Sequence, residues 1–407
     1  MMDIRPILTT LRRHKTAAAL IVLEIALTCA IVCNALFLIG QRIETINQPS
    51  GIAEDELVEV RLGGIGKQVN VEARTREDLA ALQSVPGVKS VVAINQLPFR
   101  NNSWNTSLSR VPDQERPTLN ASQYFAREGT VDTLGLELIA GTDFQPGEYR
   151  EYQDVVSDPT TETTGSSVIL TKSAADKLYP DGDALGKTIY SGRSPLRVTG
   201  VVKELGRPTR VNGDTHDSML LPVRMSYDMG FYLIRVTDPA RRDEVIKAAV
   251  TALERVDSSR LVRAKVTYEE QREKYFANDR AMVGLLITVC VALLVVTALG
   301  IVGLASFWVQ QRTKQIGIRR ALGATRSQIL RYFQTENFLL ATVGIVLGML
   351  MAYTINLYLM NNYELPRMPL SYLPIGAVLL WLLGQIAVFG PARRAAAVPP
   401  AVATRSA

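Results

Sequence analysis

Four long, predominantly apolar stretches decide what this chain can fold into. They run Ala17–Gly40, Met282–Ala305, Phe338–Met360 and Leu370–Gly390, each 21 to 24 residues long. A hydrocarbon core about 30 Å thick needs roughly 20 helical residues. The last three stretches carry no charged residue. Uncharged helices of this length are out of place in a soluble domain, so four membrane spans are predicted. The composition agrees: 47% hydrophobic yet 21% charged over 407 residues, with mean hydropathy +0.10, is an average over greasy spans and an ordinary polar domain. Disorder, collagen and a disulfide-rich miniprotein are excluded.

Arg12, Arg13 and Lys15 precede the first stretch, as they would a signal peptide. Its apolar run is longer than an h-region of about 7–15 residues, and no A-x-A-like site follows, so an uncleaved anchor is predicted. Lys and Arg then set the orientation. They crowd the N-terminal segment, the loop between the second and third spans (Arg312, Lys314, Arg319, Arg320, Arg326, Arg331) and the C-terminal tail. The positive-inside rule places both termini and that loop in the cytoplasm, and the long segment between the first two spans outside. The net charge of +6 hides a split: Ile43–Asp279 holds 29 Lys/Arg against 35 Asp/Glu, and the remainder 16 against 4. The pI of 9.2 therefore reports anchoring loops rather than a basic patch on a folded unit, and no nucleic-acid partner is expected. Cys29, Cys33 and Cys290 all fall within spans, so the outer domain must be held by its own core without disulfides.

The expected order is a cytoplasmic amphipathic segment (1–16), transmembrane helix 1 (17–40) and a periplasmic domain with helical stalks (41–281). Transmembrane helix 2 (282–305), a cytoplasmic loop (306–337), transmembrane helix 3 (338–360), a short periplasmic loop (361–369), transmembrane helix 4 (370–390) and a cytoplasmic tail (391–407) follow. Within the outer domain, strands at Leu57–Leu62 and Val88–Asn95 flank a helix at Arg76–Val85. A matching unit pairs strands Phe231–Thr237 and Leu261–Thr267 around a helix at Pro239–Val256, capped by Asp238. Between them lie strands Val168–Thr171, Leu196–Lys203 and Met219–Val223 and a short helix Lys172–Tyr179. The fold class is thus membrane α-helical, with a large α+β extracytoplasmic domain of two lobes, the second inserted into the first. Gly147–Gly165 is polar and reads as a mobile loop. Gln41–Asn47 and Tyr268–Asp279 read as helical stalks running into the spans, or as ordinary solvated helix ends.

The chemistry-bearing motifs are few. Gly182–Thr188 imitates a phosphate-binding loop, but it has three residues between its glycines where four are needed and no strand before it. It reads as a turn. Glu24 lies inside the first span, where an acid is either an interhelical contact or part of a transport path. His14 and His216 lie on opposite sides of the membrane, no metal-ligand spacing occurs, and no catalytic centre or cofactor is expected. Ile4, Ile7, Leu8 and Leu11 make Asp3–Lys15 an amphipathic interfacial helix or an unstructured basic flank. In the cytoplasmic loop Gly323 separates two short helical patterns, and Thr325 with Gln328 forms a capping box for the second. Ile316, Ile318 and Leu322 give the first pattern apolar surface beside its arginines, which suits a docking element or a plain positive-inside anchor.

Three stretches carry a resemblance that covers nearly the whole chain: Ile316–Leu330 (IGIRRALGATRSQIL), Tyr124–Phe144 (YFAREGTVDTLGLELIAGTDF) and Leu178–Val202 (LYPDGDALGKTIYSGRSPLRVTGVV). The chain resembles the FtsX-like permease family, in particular its MacB-type branch. The resemblance implies an inner-membrane permease that works as a homodimer or heterodimer with a cytosolic ABC ATPase. It transmits ATP-driven motion to the periplasmic domain, and many members join a periplasmic adaptor and an outer-membrane channel for export. It further implies that Ile316, Gly317, Ile318, Arg319, Arg320, Leu322 and Gly323 form the ATPase-coupling element. MacB itself carries a fused N-terminal ATPase. No true Walker sequence occurs here, so the ATPase is expected on a separate subunit, and this chain is expected to be non-catalytic. Lipoprotein release or control of a cell-wall hydrolase are alternatives within the family. A membrane-anchored ligand sensor is the alternative outside it.

Overall fold

The computed structural model describes residues 15–64, 70–157, 166–209, 216–363 and 367–399. The predicted amphipathic helix at Asp3–Lys15 lies, apart from Lys15, outside them. Two compact units emerge: Gln48–Ala277, and the segments Met1–Asn47 with Asn278–Ala407. The helices are α1 (Lys15–Ile46), α2 (Val71–Gln83), α3 (Thr130–Leu134), α4 (Tyr152–Ser157), α5 (Lys172–Leu178), α6 (Arg242–Val256), α7 (Tyr268–Tyr275), α8 (Ala277–Gln311), α9 (Thr313–Ala321), α10 (Arg326–Tyr363) and α11 (Tyr372–Ala396). The strands are β1 (Leu57–Gly63), β2 (Val88–Ile94), β3 (Asn105–Ser109), β4 (Leu119–Ala126), β5 (Leu138–Gly141), β6 (Arg150–Glu151), β7 (Ser166–Thr171), β8 (Thr188–Ser191), β9 (Ser194–Val202), β10 (Ser218–Arg224), β11 (Phe231–Val236) and β12 (Leu261–Thr267).

Helices α1, α8, α10 and α11 are long and apolar enough to cross a membrane. In lipid, apolar burial gives helices little reason to associate, so close backbone approach through small residues takes over. Gly344 and Gly348 stand four apart on one face of α10. A side chain on Gly344 would come within 2.9 Å of Ile25 Cβ; one on Gly348 would come within 2.5 Å of Cys29 Cβ and 2.6 Å of the Ala26 carbonyl oxygen. Helix α1 thus lies in a groove that glycine keeps open, and Gly376 of α11 makes similar room for Cys33. Most side chains of α8 face outward. It meets α1 through the Thr28 and Thr297 hydroxyls, 2.8 Å apart, and through an ion pair between Arg42 and Asp279. Gly348→Leu is expected to cost about 1–3 kcal/mol by overpacking and to lower the melting temperature of the detergent-solubilised protein. Gly303→Leu, facing open space on α8, is the control expected to melt like the parent.

The outer unit is built from period-2 strands. Its first sheet runs β12-β1-β11-β2, all neighbours antiparallel. Two β-α-β units, β1-α2-β2 and β11-α6-β12, interleave so that each inserts a strand between the other's pair. This is the split β-α-β arrangement of ferredoxin-like sheets. Alternation along β11 decides its two faces. Tyr232, Ile234 and Val236 share a cluster with Leu82 of α2 and with Val245, Ala249 and Leu253 of α6. Phe231 and Leu233 share another with Tyr124, Ile169, Val202 and Leu220 of the inserted lobe. A strand covered on both faces has no polar side, and β11 is buried almost throughout.

The lobe inserted between β2 and β11 holds β3 to β10. Its main path is β4-β3-β8-β9-β7-β10-β6, and an added parallel pairing of β4 with β10 closes six of these strands into a ring. Helix α5 covers its core with Ala174, Ala175 and Leu178, and Thr171 caps α5 by accepting from Ala174 N–H. The lobe predicted between the two β-α-β units is therefore present.

Two expectations change. The described part of Gly147–Gly165 is ordered: β6 pairs with β10, and the Tyr152 ring of α4 lies 5.8 Å from Trp104 and 5.7 Å from Phe125. The aromatics of an otherwise polar run pull it onto the core, and 158–165 lie outside the described residues. The stalk predicted as one helix through Tyr268–Asp279 is interrupted at Phe276. That residue is buried, with its ring 5.1 Å from Phe99 and 4.9 Å from Tyr275, and the Arg272 guanidinium lies 4.9 Å from the Phe99 ring. Burying the ring turns the backbone out of the helix at a position with neither Gly nor Pro. Helix α1, by contrast, continues unbroken to Ile46, through the predicted extension from Gln41.

Candidate functional site

Helix α9 fills the connection between α8 and α10, and its sequence sorts onto two faces by the helical repeat. Arg312, Ile316 and Arg320, four residues apart, point inward. Ile316 is buried with Val309, Ile329, Phe333, Ala392, Ala395 and Ala396, and Gly317 is buried beside it. Arg320 donates at 2.6 Å to the Ala396 carbonyl oxygen, where a cation complements the negative end of α11. Ile318 and Leu322 point outward, 48% and 84% exposed. Arg319 is also exposed, with its guanidinium 5.1 Å from the Tyr332 ring. Gly323 takes φ +99°, a left-handed conformation that a glycine adopts without strain and that ends the helix. The seven residues singled out from the sequence therefore divide. Ile316, Gly317 and Arg320 hold α9 in place; Ile318, Arg319 and Leu322 form its free surface; Gly323 stops it.

Thr325 and Gln328 form the predicted capping box. The Thr325 N–H donates to Gln328 Oε1 at 2.8 Å, and the Gln328 N–H donates to Thr325 Oγ1 at 3.3 Å. This restarts the chain as α10 three residues after the glycine. The exposed apolar edge of α9 is thus pinned between a fixed turn and a buried inner face.

Sequence reasoning missed the group beneath α9. Arg312, the single residue between α8 and α9, is buried and donates from Nη1 to both carboxylate oxygens of Glu336, at 2.9 and 3.1 Å. Glu336 on α10 is 1% exposed. The Arg312 guanidinium also lies 5.6 Å from the Trp308 ring. One signal was available: Glu336 is the lone acid among the six cations of 306–337.

Glu24 is half-buried on α1 against Gly300 of α8, in the space a side chain there would fill. It has no hydrogen-bond partner among the described residues. Gly182–Thr188 is a turn between α5 and β8. The Asp183 carboxylate accepts from Leu185 N–H at 2.8 Å, and Lys187 Nζ lies 4.4 Å from the Tyr179 ring. The Gly182, Leu185, Gly186 and Lys187 N–H groups already donate within the lobe, so they are not aimed at a phosphate.

The comparisons with known proteins fall on the same division. Residues 18–252 match the MacB-like periplasmic core domain, and residues 287–400 match the FtsX-like permease C-terminal domain. The chain belongs to the FtsX-like, MacB-type permease family. The permease is 30% identical over 244 residues to a macrolide export ATP-binding/permease protein MacB of Chromobacterium violaceum, covering 57% of this chain and 37% of that protein. It is 29% identical over 308 residues to a MacB of Nitrobacter winogradskyi, covering 67% and 44%. It thus spans less than half the length of these curated relatives. Among solved structures, the periplasmic region of MacB from Actinobacillus actinomycetemcomitans is similar at TM-score 0.34 and 17% identity, over 56% of this chain and 97% of that one. The extracellular domain of the noncanonic ABC-type transporter YknZ from Gram-positive bacteria gives TM-score 0.33 and 18% identity, over 51% and 100%. Four apolar helices and a periplasmic-type core domain make this permease a multi-pass inner-membrane protein.

Proposed function

We propose that this permease transmits motion driven by ATP hydrolysis on a cytosolic ABC ATPase, outside these 407 residues, to its large outer domain, in the service of export. In this reading both termini and α9 face the cytoplasm and Gln48–Ala277 lies in the periplasm. The permease itself performs no chemistry. It acts as a homodimer or with a second, similar permease, and a periplasmic adaptor and outer-membrane channel complete the export path.

The observation that carries the reading is the outer face of α9. A short helix outside the apolar spans exposes Ile318 and Leu322 beside Arg319, while its other face is locked by Ile316 and Arg320. An apolar anchor with an arginine beside it, on a rigid support, is the anatomy of a protein contact. The positive-inside rule supports the cytoplasmic side for it. Export is favoured by the macrolide export for which the MacB relatives are named.

Pull-down of the full chain in mild detergent tests the proposal, and recovery of an ABC ATPase is expected. Impermeant thiol labelling of whole cells tests the orientation. Val111→Cys, on an exposed outer-domain position, is expected to label, and Ile318→Cys only after lysis. The native cysteines are all buried. Labelling with the opposite pattern would refute the arrangement.

A further inference from the structure

We infer that Arg312 and Glu336 are a positioning pair that fixes the direction in which α9 leaves α8. The inference deepens the coupling reading above and rests on it for its functional arm alone. Helix α9 has nine residues, too few to hold its own shape or direction. Its placement therefore comes from attachments at its ends. At the far end Arg320 donates to the carbonyl oxygen of Ala396, the last residue of α11. At the near end the chain changes direction at Arg312, with φ −104° and ψ 10°. There the Arg312 side chain turns inward to the only carboxylate within reach of it among the described residues.

The surroundings argue against plain cohesion as the reason for this pair. Trp308 and Asn337 line a small cavity together with Glu336, Ile21, Ile301 and Phe333. The Trp308 Nε1 and Asn337 Nδ2 donors of that lining, and the Arg312 Nη2 donor outside it, are buried without a protein acceptor. Well-packed apolar side chains would hold these helices at lower desolvation cost. What a buried charge pair adds, here one guanidinium nitrogen held between both carboxylate oxygens, is one register and one angle, since any other arrangement strands a charge. The pair also joins the two elements a push on α9 must reach: α8 through Arg312 itself, and α10 through Glu336. A load on Leu322 is then carried into two spans at once rather than dissipated by a swivel at residue 312.

The test places a nitroxide on Leu322→Cys in the full chain, where the buried native cysteines do not compete. Mobility is compared among the parent, Arg312→Gln, Glu336→Gln and the exchanged pair Arg312→Glu with Glu336→Arg. Each single variant is expected to shorten the label's correlation time at least ~3-fold. The exchanged pair is expected to return it to near the parent value. In a complex with the ATPase, the same single variants without the label and with Leu322 in place are expected to lose about 10-fold in coupled ATP turnover, while retaining the ATPase, because the outer face is untouched. Unchanged mobility in the single variants would overturn the inference, as would an exchanged pair as mobile as they are. A parent that retains no ATPase counts against the coupling reading instead, and leaves the label result to decide this one. Melting of each variant separates a swivel from unfolding: a mobile label on a protein that melts like the parent supports the inference, and mobility that appears only with general unfolding contradicts it.

Discussion

Arg319→Glu combined with Leu322→Glu is expected to abolish recovery of the ATPase while leaving membrane insertion and melting as in the parent. Leu322 is the most exposed large apolar residue among those described, at 84%. It contributes almost nothing to the fold, so replacing it cannot open a core. Arg319 rests on the Tyr332 face, a contact worth about 0.5–1 kcal/mol at an exposed site. At a protein contact the same two changes remove an apolar anchor, reverse a charge and bury two carboxylates against the partner. Together they should weaken association about 100-fold, roughly 3 kcal/mol. Ile318→Ala serves as a graded comparison on the same face. Retention of the ATPase by the double variant would sink the assignment of this surface.

The second large effect lies in the outer domain. Asp78 of α2 is fully buried and accepts from Arg260, itself 6% exposed, with one contact at 2.7 Å; the Tyr232 hydroxyl donates to the same carboxylate. The Arg260 guanidinium also lies 5.0 Å from the Tyr227 ring. Asp78→Ala leaves the buried Arg260 with only Asp257, 3.7 Å from its Nε, which costs about 3 kcal/mol. Melting of that domain should fall by on the order of 10 °C. Asp78→Leu with Arg260→Met removes both charges and should recover most of the loss. A single variant as stable as the parent would show that water reaches Arg260 despite its burial.

The spans were plain in the sequence because hydrocarbon imposes a length and forbids charge, and both can be read one residue at a time. The interleaved β-α-β units could also be read: Pro86-Gly87 and Asp238-Pro239 punctuate them, and their apolar alternation is strong. Strands β3 and β4 were missed because NTSLS and LNASQYFA carry Ser and Asn where they pair. Their strand character comes from neighbours that the sequence does not place. The joint at Phe276 was hidden for a similar reason. Nothing local breaks that helix, and only the pocket around Phe99 explains it. The glycines of α10 stand in a readable G-x-x-x-G spacing, but the spacing does not name α1 as the helix that fills the groove.

The candidate site was legible as a stretch and illegible as a surface. IGIRRALG is marked by its arginines and by its glycine stop. Which of its residues face outward depends on where α11 ends and where Glu336 stands, since those contacts claim Arg320 and Arg312. Glu24 shows the limit from the other side. The sequence flags an acid in a span, and the structure sets it on Gly300, which fixes its place within the α1–α8 seam.

The central claim is that energy is spent on another protein and only passed through this one. It is tested most directly by nucleotide turnover in lipid nanodiscs, with the pure permease, the ATPase recovered with it, and the two together. The account predicts background turnover for the permease alone and ATPase turnover that rises when the permease is present, with the rise lost on Arg319→Glu with Leu322→Glu. Hydrolysis by the pure permease, or ATPase turnover indifferent to it, would contradict the account.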